Sequence, residues 1–255
     1  MMKIQVLGGN GGLAKGFETT SILIDDKLLI DAGAVASTTT IDQQTKIENI
    51  LISHCHLDHI KDLAFICDNC FGLRPKPFQV HTHETVNKII KAHLLNDIVW
   101  PDFTTLPNKT NPTMVINSVK AEQMLELGEY RVTPVHVNHP HDAMGFIIEK
   151  GDSAVLFTLD TGPTNRIWEI ANKTKNLKAI FTEISFPNEL QKVAELSHHH
   201  TPGSMIREIP KMPKNIPIIL SHLKPNYRQD ILKQIREMGE DRISVLEKDG
   251  EVFNF

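Results

Sequence analysis

Residues 53–59 read SHCHLDH and come directly after the apolar triplet ILI. A short apolar run of this kind predicts a buried strand whose end delivers the next residues to the surface as a loop. In an extended segment, side chains two residues apart point the same way, so His54 and His56 can bind one ion. Asp58 and His59 follow closely enough to reach a second ion. Mixed imidazole and carboxylate ligands suit zinc-like ions, so the stretch predicts half of a two-metal site, with a polar turn of structural histidines as the alternative.

Length, charge and cysteine content narrow the class of protein. The chain has 255 residues, enough to bury about 70–75% of the surface that its unfolded form would expose. Its formal net charge of −4 gives no basic surface for tracking along nucleic acid, so no stable nucleic-acid binding is expected. Bound metal ions can still attract small anionic substrates. Cys55, Cys67 and Cys70 are odd in number and clustered, which indicates reduced thiols rather than disulfides.

The N-terminus carries no pattern typical of export. Residues 1–7 enter strand-like sequence at once, without a long apolar stretch or a cleavage site. No later apolar run reaches the length of a transmembrane helix. We therefore expect a soluble cytoplasmic enzyme that does not associate with a membrane.

A glycine-rich segment follows the first predicted strand. Residues 8–14, GGNGGLA, fit the dinucleotide-binding pattern G-x-G-x-x-A, and Asp31 lies about 20 residues further on. That pattern requires a helix to begin at the glycines, whereas two β-rich runs, Thr19–Ile24 and Lys27–Ile30, follow instead. The glycines are therefore predicted to form a tight loop. Asp31, at the end of the second run, either orients a ligand histidine or caps a turn.

The 53–59 loop leads into sequence with helical periodicity. Apolar residues in Asp58–Cys70 recur at helical spacing, and the N-terminus of such a helix would suit an anionic substrate beside the ions. Phe78–His81 reads as a strand and Glu84–Leu95 as an amphipathic helix. Residues 81–83, HTH, form a second histidine pair without a following Asp-His, which we interpret as a surface feature. Asn96–Pro112 has little periodicity, and we predict that it closes over the substrate.

The second half of the chain places single ligand-type residues at strand ends. Residues 113–150 alternate in short runs with turn signals, which predicts antiparallel sheet. His139, Asp160 and His222 each follow a predicted strand. Because several strand ends can meet at one edge of a layered sheet structure, we expect these side chains to converge with the 53–59 loop.

These residues give the sequence its resemblance to the metallo-β-lactamase superfamily, in which an early Asp, HxHxDH, a single His, a bridging Asp and a late His occur in this order. The resemblance covers essentially the whole chain. It implies an α/β (α+β) protein, a four-layer αββα sandwich forming a single domain over residues 1–255, with two metal ions at one edge. The implied ligands are His54, His56 and His139 for the first ion, Asp58, His59 and His222 for the second, and Asp160 bridging both. His136 and His141 flank His139 and are the alternatives for that position.

A narrower resemblance to the class II cyclic nucleotide phosphodiesterases lies in the C-terminal third. It rests on residues 157–163 (FTLDTGP), 183–188 (EISFPN), 197–202 (SHHHTP) and 221–225 (SHLKP). The family usually has glycine in place of Leu159, and Ser-Gly-His-Leu-Thr-Pro in place of residues 197–202. Alignment on the shared serine and Thr-Pro makes His199 the family histidine.

The resemblance implies a two-metal hydrolase that cleaves 3',5'-cyclic AMP or cyclic GMP to the 5'-monophosphate. A metal-bridging hydroxide would attack the phosphate. The expected catalytic residues are Asp58, which is also a ligand, and His199. His199 would stabilise charge or protonate the leaving oxygen. The alternative role for His199 is to cap the nearby helix. Zinc is the expected metal, with manganese or iron as alternatives. The sequence is compatible with a homodimer.

Two other classes of function are left open. One is a different hydrolase on the same scaffold, such as a ribonuclease Z-like nuclease, a thioesterase or a lactonase. The nuclease would need a basic docking surface, for which the Lys173-Thr174-Lys175 segment is too short. The other class is a metal-binding sensor without catalysis, which the seven-residue ligand set disfavours.

Overall fold

The computed structural model describes residues 1–255 and contains two seven-stranded sheets. In chain order the strands are β1 (Lys3–Gly8), β2 (Ser21–Ile24), β3 (Leu28–Ile30), β4 (Asn49–Leu51), β5 (Phe78–His83), β6 (Pro107–Asn108), β7 (Asn111–Pro112), β8 (Met114–Val119), β9 (Leu125–Leu127), β10 (Tyr130–His136), β11 (Met144–Lys150), β12 (Ser153–Phe157), β13 (Leu177–Glu183), β14 (Ile218–Ser221), β15 (Ile243–Val245) and β16 (Glu251–Asn254).

The helices are short and lie between these strands in the sequence. They are α1 (Val35–Thr38), α2 (Ile41–Lys46), α3 (Leu57–Asn69), α4 (Glu84–His93), α5 (Arg166–Ala171), α6 (Gln191–Ser197), α7 (Pro202–Glu208) and α8 (Arg228–Glu237). Single 3-10 turns cover Asn188–Leu190, Ile209–Lys211 and Pro225–Tyr227. None of the helices has the length and apolar character needed to cross a bilayer.

Strand direction in the two sheets brings many carboxyl ends to one edge. The first sheet has the order β16-β1-β2-β3-β4-β5-β8 and the second β15-β14-β13-β12-β11-β10-β9, while β6 and β7 form a separate hairpin. Strands β3, β4, β5 and β8 are parallel, as are β12 to β15. Strand β10 runs in the direction of β12, because each pairs antiparallel with β11. Loops after these strands therefore gather at one edge of each sheet.

Apolar side chains fill three interior layers. The layer between the two sheets includes Ile24, Phe146 and Phe157. A second layer packs the outer face of the first sheet against α3 and α4, and a third packs the second sheet against α5, α7 and α8. The order helix, sheet, sheet, helix is the predicted four-layer arrangement. Strands β2 and β3 are buried at every position, which explains why their sequences are nearly continuous apolar runs.

Most predicted elements are present, with shifts of a few residues at their ends. The glycine segment is followed by strands rather than by a helix, as predicted. The prediction of antiparallel sheet for residues 113–150 is wrong at its start, because β8 pairs in parallel with β5 at the edge of the first sheet. An alternating run predicts a strand but does not specify the neighbour with which that strand pairs.

The segment 96–112 lies along α3 rather than over the sheet edge. Trp100 packs edge-on against Phe65, with ring centroids 5.3 Å apart, and Phe103 packs against Phe71 at 5.9 Å. Phe65 lies about two turns, roughly 12 Å, beyond the start of the helix at the sheet edge. The prediction that this segment closes over the substrate is therefore wrong.

Candidate metal centre

The seven residues predicted as metal ligands come together at the edge of the sandwich. They form two groups in which the ligand atoms all lie within 4.8 Å of one another, His54 with His56, His139 and Asp160, and Asp58 with His59, Asp160 and His222. Asp160 belongs to both groups. It occupies the loop after β12, opposite the segment after β4 that runs into the first turn of α3 and carries four of the other residues.

The distances between ligand atoms match those around a small cation. The Asp160 carboxylate has Oδ2 at 3.3 Å from His59 Nε2 and at 3.7 Å from His54 Nε2. Its Oδ1 lies 3.3 Å from His222 Nε2. Donors placed about 2.1 Å from a tetrahedral ion are about 3.4 Å apart, so these separations fit coordination better than direct hydrogen bonding.

Three buried ring nitrogens in the two groups have no hydrogen-bond partner. They are the Nε2 atoms of His54, His59 and His222. A buried polar atom without a partner costs about 1–3 kcal/mol, so three in one cluster indicate that another group satisfies them. All three point to the shared carboxylate of Asp160. The donor set therefore fits divalent cations.

The opposite ring nitrogen of each of these histidines is held by a hydrogen bond. Ser53 Oγ lies 2.9 Å from His54 Nδ1, Asp31 Oδ2 lies 2.7 Å from His59 Nδ1, and Ser185 Oγ lies 2.9 Å from His222 Nδ1. Because Nδ1–H donates to these oxygens, Nε2 keeps its lone pair for a metal. In the same way His139 Nδ1 donates to the His198 carbonyl at 3.0 Å.

Asp31 orients the 53–59 loop from beneath. Its Oδ1 accepts the Ser53 backbone N–H at 2.8 Å, and its Oδ2 accepts the Ser53 hydroxyl and the His59 Nδ1–H, each at 2.7 Å. Burial opposes a charge on His59, but Asp160 and Asp31 together raise its pKa well above the usual value, so a metal ion bound at Nε2 would displace a proton from this atom. Of the two roles left open by the sequence, the hydrogen bonds support orientation of a ligand histidine.

We expect Asp31→Asn to weaken metal binding by about 10- to 100-fold, because the amide loses the charge that holds His59 and Ser53. The measurement is the affinity for zinc in competition with a chromophoric chelator. Asp26→Asn, an exposed carboxylate on the turn before β3, is the matched control and should bind zinc like the unmodified chain. Equal affinity in Asp31→Asn and Asp26→Asn would contradict the assigned role of Asp31.

His199 lies beside both ligand groups and is paired with a buried carboxylate. Its Nδ1 donates to Glu183 Oε1 at 2.7 Å. Its ring centroid is 5.0 Å from that of His139 and 5.5 Å from that of His222, nearly parallel to the latter. Burial opposes the charged form of His199, but the Glu183 carboxylate outweighs it and raises the pKa of the imidazole. Glu183 therefore favours the protonated form of His199, next to the two ligand groups.

Glu183 and Ser185 were not singled out from the sequence. Ser185 Oγ donates to Glu183 Oε2 at 2.9 Å while it accepts from His222 Nδ1, so the two residues fix both His222 and His199. Both belong to the quoted motif 183–188, and Glu183 ends strand β13. A carboxylate at a strand end is the signal that identified Asp160, and the same signal could have identified Glu183.

The neighbouring histidines fall outside the two groups. His136 forms a separate surface group with His83 and Asp142, and His141 lies in the adjoining loop. His139, rather than either flanking histidine, is therefore the one placed with His54 and His56.

Only one histidine of the second pair in the sequence, residues 81–83, is accessible at the surface. His81 is buried in β5, with Nε2 3.0 Å from Asn49 Oδ1, and burial lowers its pKa to about 4. His83 caps α4 by accepting the Thr85 N–H at 3.3 Å. The interpretation as a surface pair is wrong for His81, whose hydrogen-bond partner lies on the adjacent strand.

Comparison with known proteins identifies a family and a fold for this chain. The model of a family described as Anti-Pycsar protein Apyc1 matches residues 2–240. A relative from Yersinia pestis, named probable 3',5'-cyclic-nucleotide phosphodiesterase, is 24% identical over 98% of this chain and 89% of its own length.

Several solved structures superpose over essentially the whole chain. Unliganded yeast PDE1 gives a TM-score of 0.84 at 17% identity and covers 99% of both chains. The metallo-β-lactamase fold protein YhfI from Bacillus subtilis gives a TM-score of 0.77 at 21% identity and covers 100% of both chains. The chain therefore has the metallo-β-lactamase fold, and the predicted sandwich is confirmed.

Proposed function

Since the chain belongs to the Anti-Pycsar protein Apyc1 family, we propose that it is a metal-dependent phosphodiesterase that hydrolyses 3',5'-cyclic nucleotides to 5'-monophosphates. The observation that carries the proposal is the pair of ligand groups that share Asp160, beside the pairing of His199 with Glu183. The name of the Yersinia pestis relative supports the same substrate class. Cyclic AMP and cyclic GMP are the substrates we propose first, with residues 1–255 acting as one hydrolase domain.

The donor set suits two divalent ions. The proposed ligands are His54, His56 and His139 for the first ion and Asp58, His59 and His222 for the second, with Asp160 between them. Nitrogen-rich sets of this kind favour zinc, with manganese and iron as alternatives. When bound, the ions would neutralise phosphate charge and lower the pKa of a coordinated water.

The chain's own residues prepare the site before substrate arrives. Asp31, Ser53 and Ser185 hold the ligand imidazoles in one tautomer and one orientation, so little reorganisation is needed. Most of the ligands are buried, where the low local dielectric strengthens their electrostatic interactions.

Of the two carboxylates in the ligand groups, Asp58 is the more exposed to solvent. Its side chain is 31% exposed in the first turn of α3, and its Oδ2 lies 3.5 Å from His222 Nε2. Burial raises its pKa, but His222 and His59 outweigh burial and lower it, so Asp58 is ionised at neutral pH. An ionised carboxylate at this place can accept a hydrogen bond from the attacking water and orient it.

His199 is the proposed proton donor to the leaving 3'-oxygen. With Nδ1 committed to Glu183, the remaining N–H of the imidazolium is at Nε2. Proton transfer from Nε2 to the 3'-oxygen yields the 3'-hydroxyl and a neutral imidazole, which regains its proton from solvent. The Glu183 carboxylate orients the ring and stabilises its charge before transfer.

The proposal is tested by comparing kcat/KM for several phosphodiesters with the purified, metal-quantified chain. The set is 3',5'-cyclic AMP, 3',5'-cyclic GMP, bis-p-nitrophenyl phosphate and a 3'-extended precursor tRNA. We expect the cyclic nucleotides to be the preferred substrates. If only the generic diester is cleaved, the chain is a two-metal hydrolase with another substrate. If the tRNA is the preferred substrate, the chain is a nuclease and the proposal is wrong.

A further inference from the structure

Lys224 places an ammonium group at the sheet edge without a carboxylate partner. It follows the ligand-group residue His222 by two positions, and its Nζ donates to the Gly11 carbonyl at 2.9 Å. The same Nζ lies 5.1 Å from the centroid of the Phe186 ring. The ammonium groups of Lys150 and Lys211, by contrast, are paired with carboxylates at 2.9 Å and 2.7 Å. The charge of Lys224 is therefore available to an incoming anion.

The glycine-rich loop fixes this ammonium relative to the metal centre. A Cβ at Gly11 would come within 2.5 Å of the His222 carbonyl oxygen and 2.9 Å of His222 Nδ1, so a larger residue does not fit. The Gly11 N–H also donates to the Leu223 carbonyl at 3.2 Å. The carbonyl that holds Lys224 is thus anchored against His222.

Lys224 and His199 approach the same aromatic ring. Phe186 lies edge-on to His199 with ring centroids 5.9 Å apart, while its face carries the Lys224 ammonium. Lys224 and His199 are therefore neighbours across a single aromatic ring. Two neighbouring positive groups are unfavourable alone and become favourable when an anion binds beside them.

We propose that Lys224 binds the phosphoryl group of the nucleotide substrate and of its monophosphate product. The assignment deepens the proposed function and rests on it for the identity of the anion. A cyclic diester carries one negative charge, whereas a phosphate monoester carries close to two at neutral pH. The contact therefore strengthens as charge develops on the phosphoryl oxygens, which is the kind of interaction that raises kcat. Lysine suits this role as a compact point charge with three donors.

The first arm of the test is kinetic. Lys224→Met keeps the length of the side chain and removes its charge, and we expect kcat/KM for the cyclic nucleotide to fall about 10- to 100-fold, the effect of one hydrogen bond to a charged group. The inhibition constant of the 5'-monophosphate should rise by a similar factor, with metal content unchanged. Lys224→Arg should restore most of the activity. Normal kcat/KM and product inhibition in Lys224→Met would overturn the assignment.

The second arm is independent of turnover. Titration of the metal-loaded chain with inorganic phosphate in a calorimeter should show affinity about tenfold weaker in Lys224→Met than in the unmodified chain. Lys178→Met removes an exposed lysine near the other end of β13 and should bind phosphate normally. Equal weakening by Lys178→Met, or none by Lys224→Met, would overturn the proposal. Lys224→Gln provides the same comparison if the methionine variant misfolds.

The two arms separate the two proposals. If the unmodified chain hydrolyses no cyclic nucleotide while Lys224→Met still weakens phosphate binding, the proposed substrate is wrong and the anion-binding role of Lys224 stands. If cyclic nucleotides are hydrolysed and Lys224→Met changes neither binding nor turnover, the proposed function stands and the role of Lys224 is wrong.

Discussion

We expect Asp160→Asn to lower cyclic nucleotide turnover about a thousandfold or more and to reduce the metal content below two ions per chain. Asp160 presents one oxygen to His59 and the other to His222, each at 3.3 Å from Nε2. Asparagine keeps the shape but removes the charge and replaces one oxygen with an N–H donor, so both groups lose their shared ligand. Loss of about 4 kcal/mol of metal-dependent stabilisation corresponds to this effect. The measurements are kcat/KM and metal content by atomic emission.

Asp152→Asn is the matched control for this variant. Asp152 is an exposed carboxylate in the turn that precedes β12, at the opposite end of the strand that leads to Asp160. It should leave turnover and metal content unchanged. An Asp160→Asn protein that is folded, retains two tightly bound ions and turns over normally would contradict the shared-ligand assignment.

We expect His199→Ala to reduce kcat on cyclic nucleotides about a hundredfold or more while metal content stays the same, because the ring is proposed as proton donor and not as ligand. His199 belongs to neither of the two groups that contain Asp160. The effect should depend on the leaving group. A p-nitrophenolate ion departs without protonation, so bis-p-nitrophenyl phosphate should be cleaved by His199→Ala at nearly the normal rate.

His93→Ala, which removes an exposed imidazole at the end of α4, controls for loss of a histidine elsewhere. It should alter neither substrate. Loss of bound metal in His199→Ala would assign the ring to the ligand set instead. An equal loss of activity on both substrates would show that His199 acts through the structure of the site rather than through proton donation.

The ligand residues of segment 53–59 could be predicted because they lie close together in the sequence. Residues 53–59 carry four ligand-type side chains at short spacing, and no knowledge of distant contacts is needed to interpret them. His139, Asp160 and His222 were predictable for a different reason, since each follows an apolar strand and the ends of such strands meet at one edge. Both the short spacing of the ligand residues and their positions after apolar strands can be recognised from the sequence.

Other features depend on contacts that the order of residues does not specify. His81 is buried because its partner Asn49 lies on the neighbouring strand, and β8 joins the first sheet because of its pairing with β5. The segment 96–112 is held along α3 by Trp100 and Phe65, which are far apart in the sequence. Ser185 has no local signal at all, since its role follows from the distances to Glu183 and His222.

The central claim is that this chain, with metal at the two groups, hydrolyses a 3',5'-cyclic phosphate to the 5'-monophosphate. Phosphorus NMR of 3',5'-cyclic AMP incubated with the metal-loaded chain tests it most directly. We predict that the cyclic phosphate signal is replaced by that of the 5'-monophosphate, without the 3'-monophosphate, and that His56→Ala leaves the substrate unchanged. An unchanged spectrum for cyclic AMP and for cyclic GMP, with a chain that contains two ions, would contradict the claim.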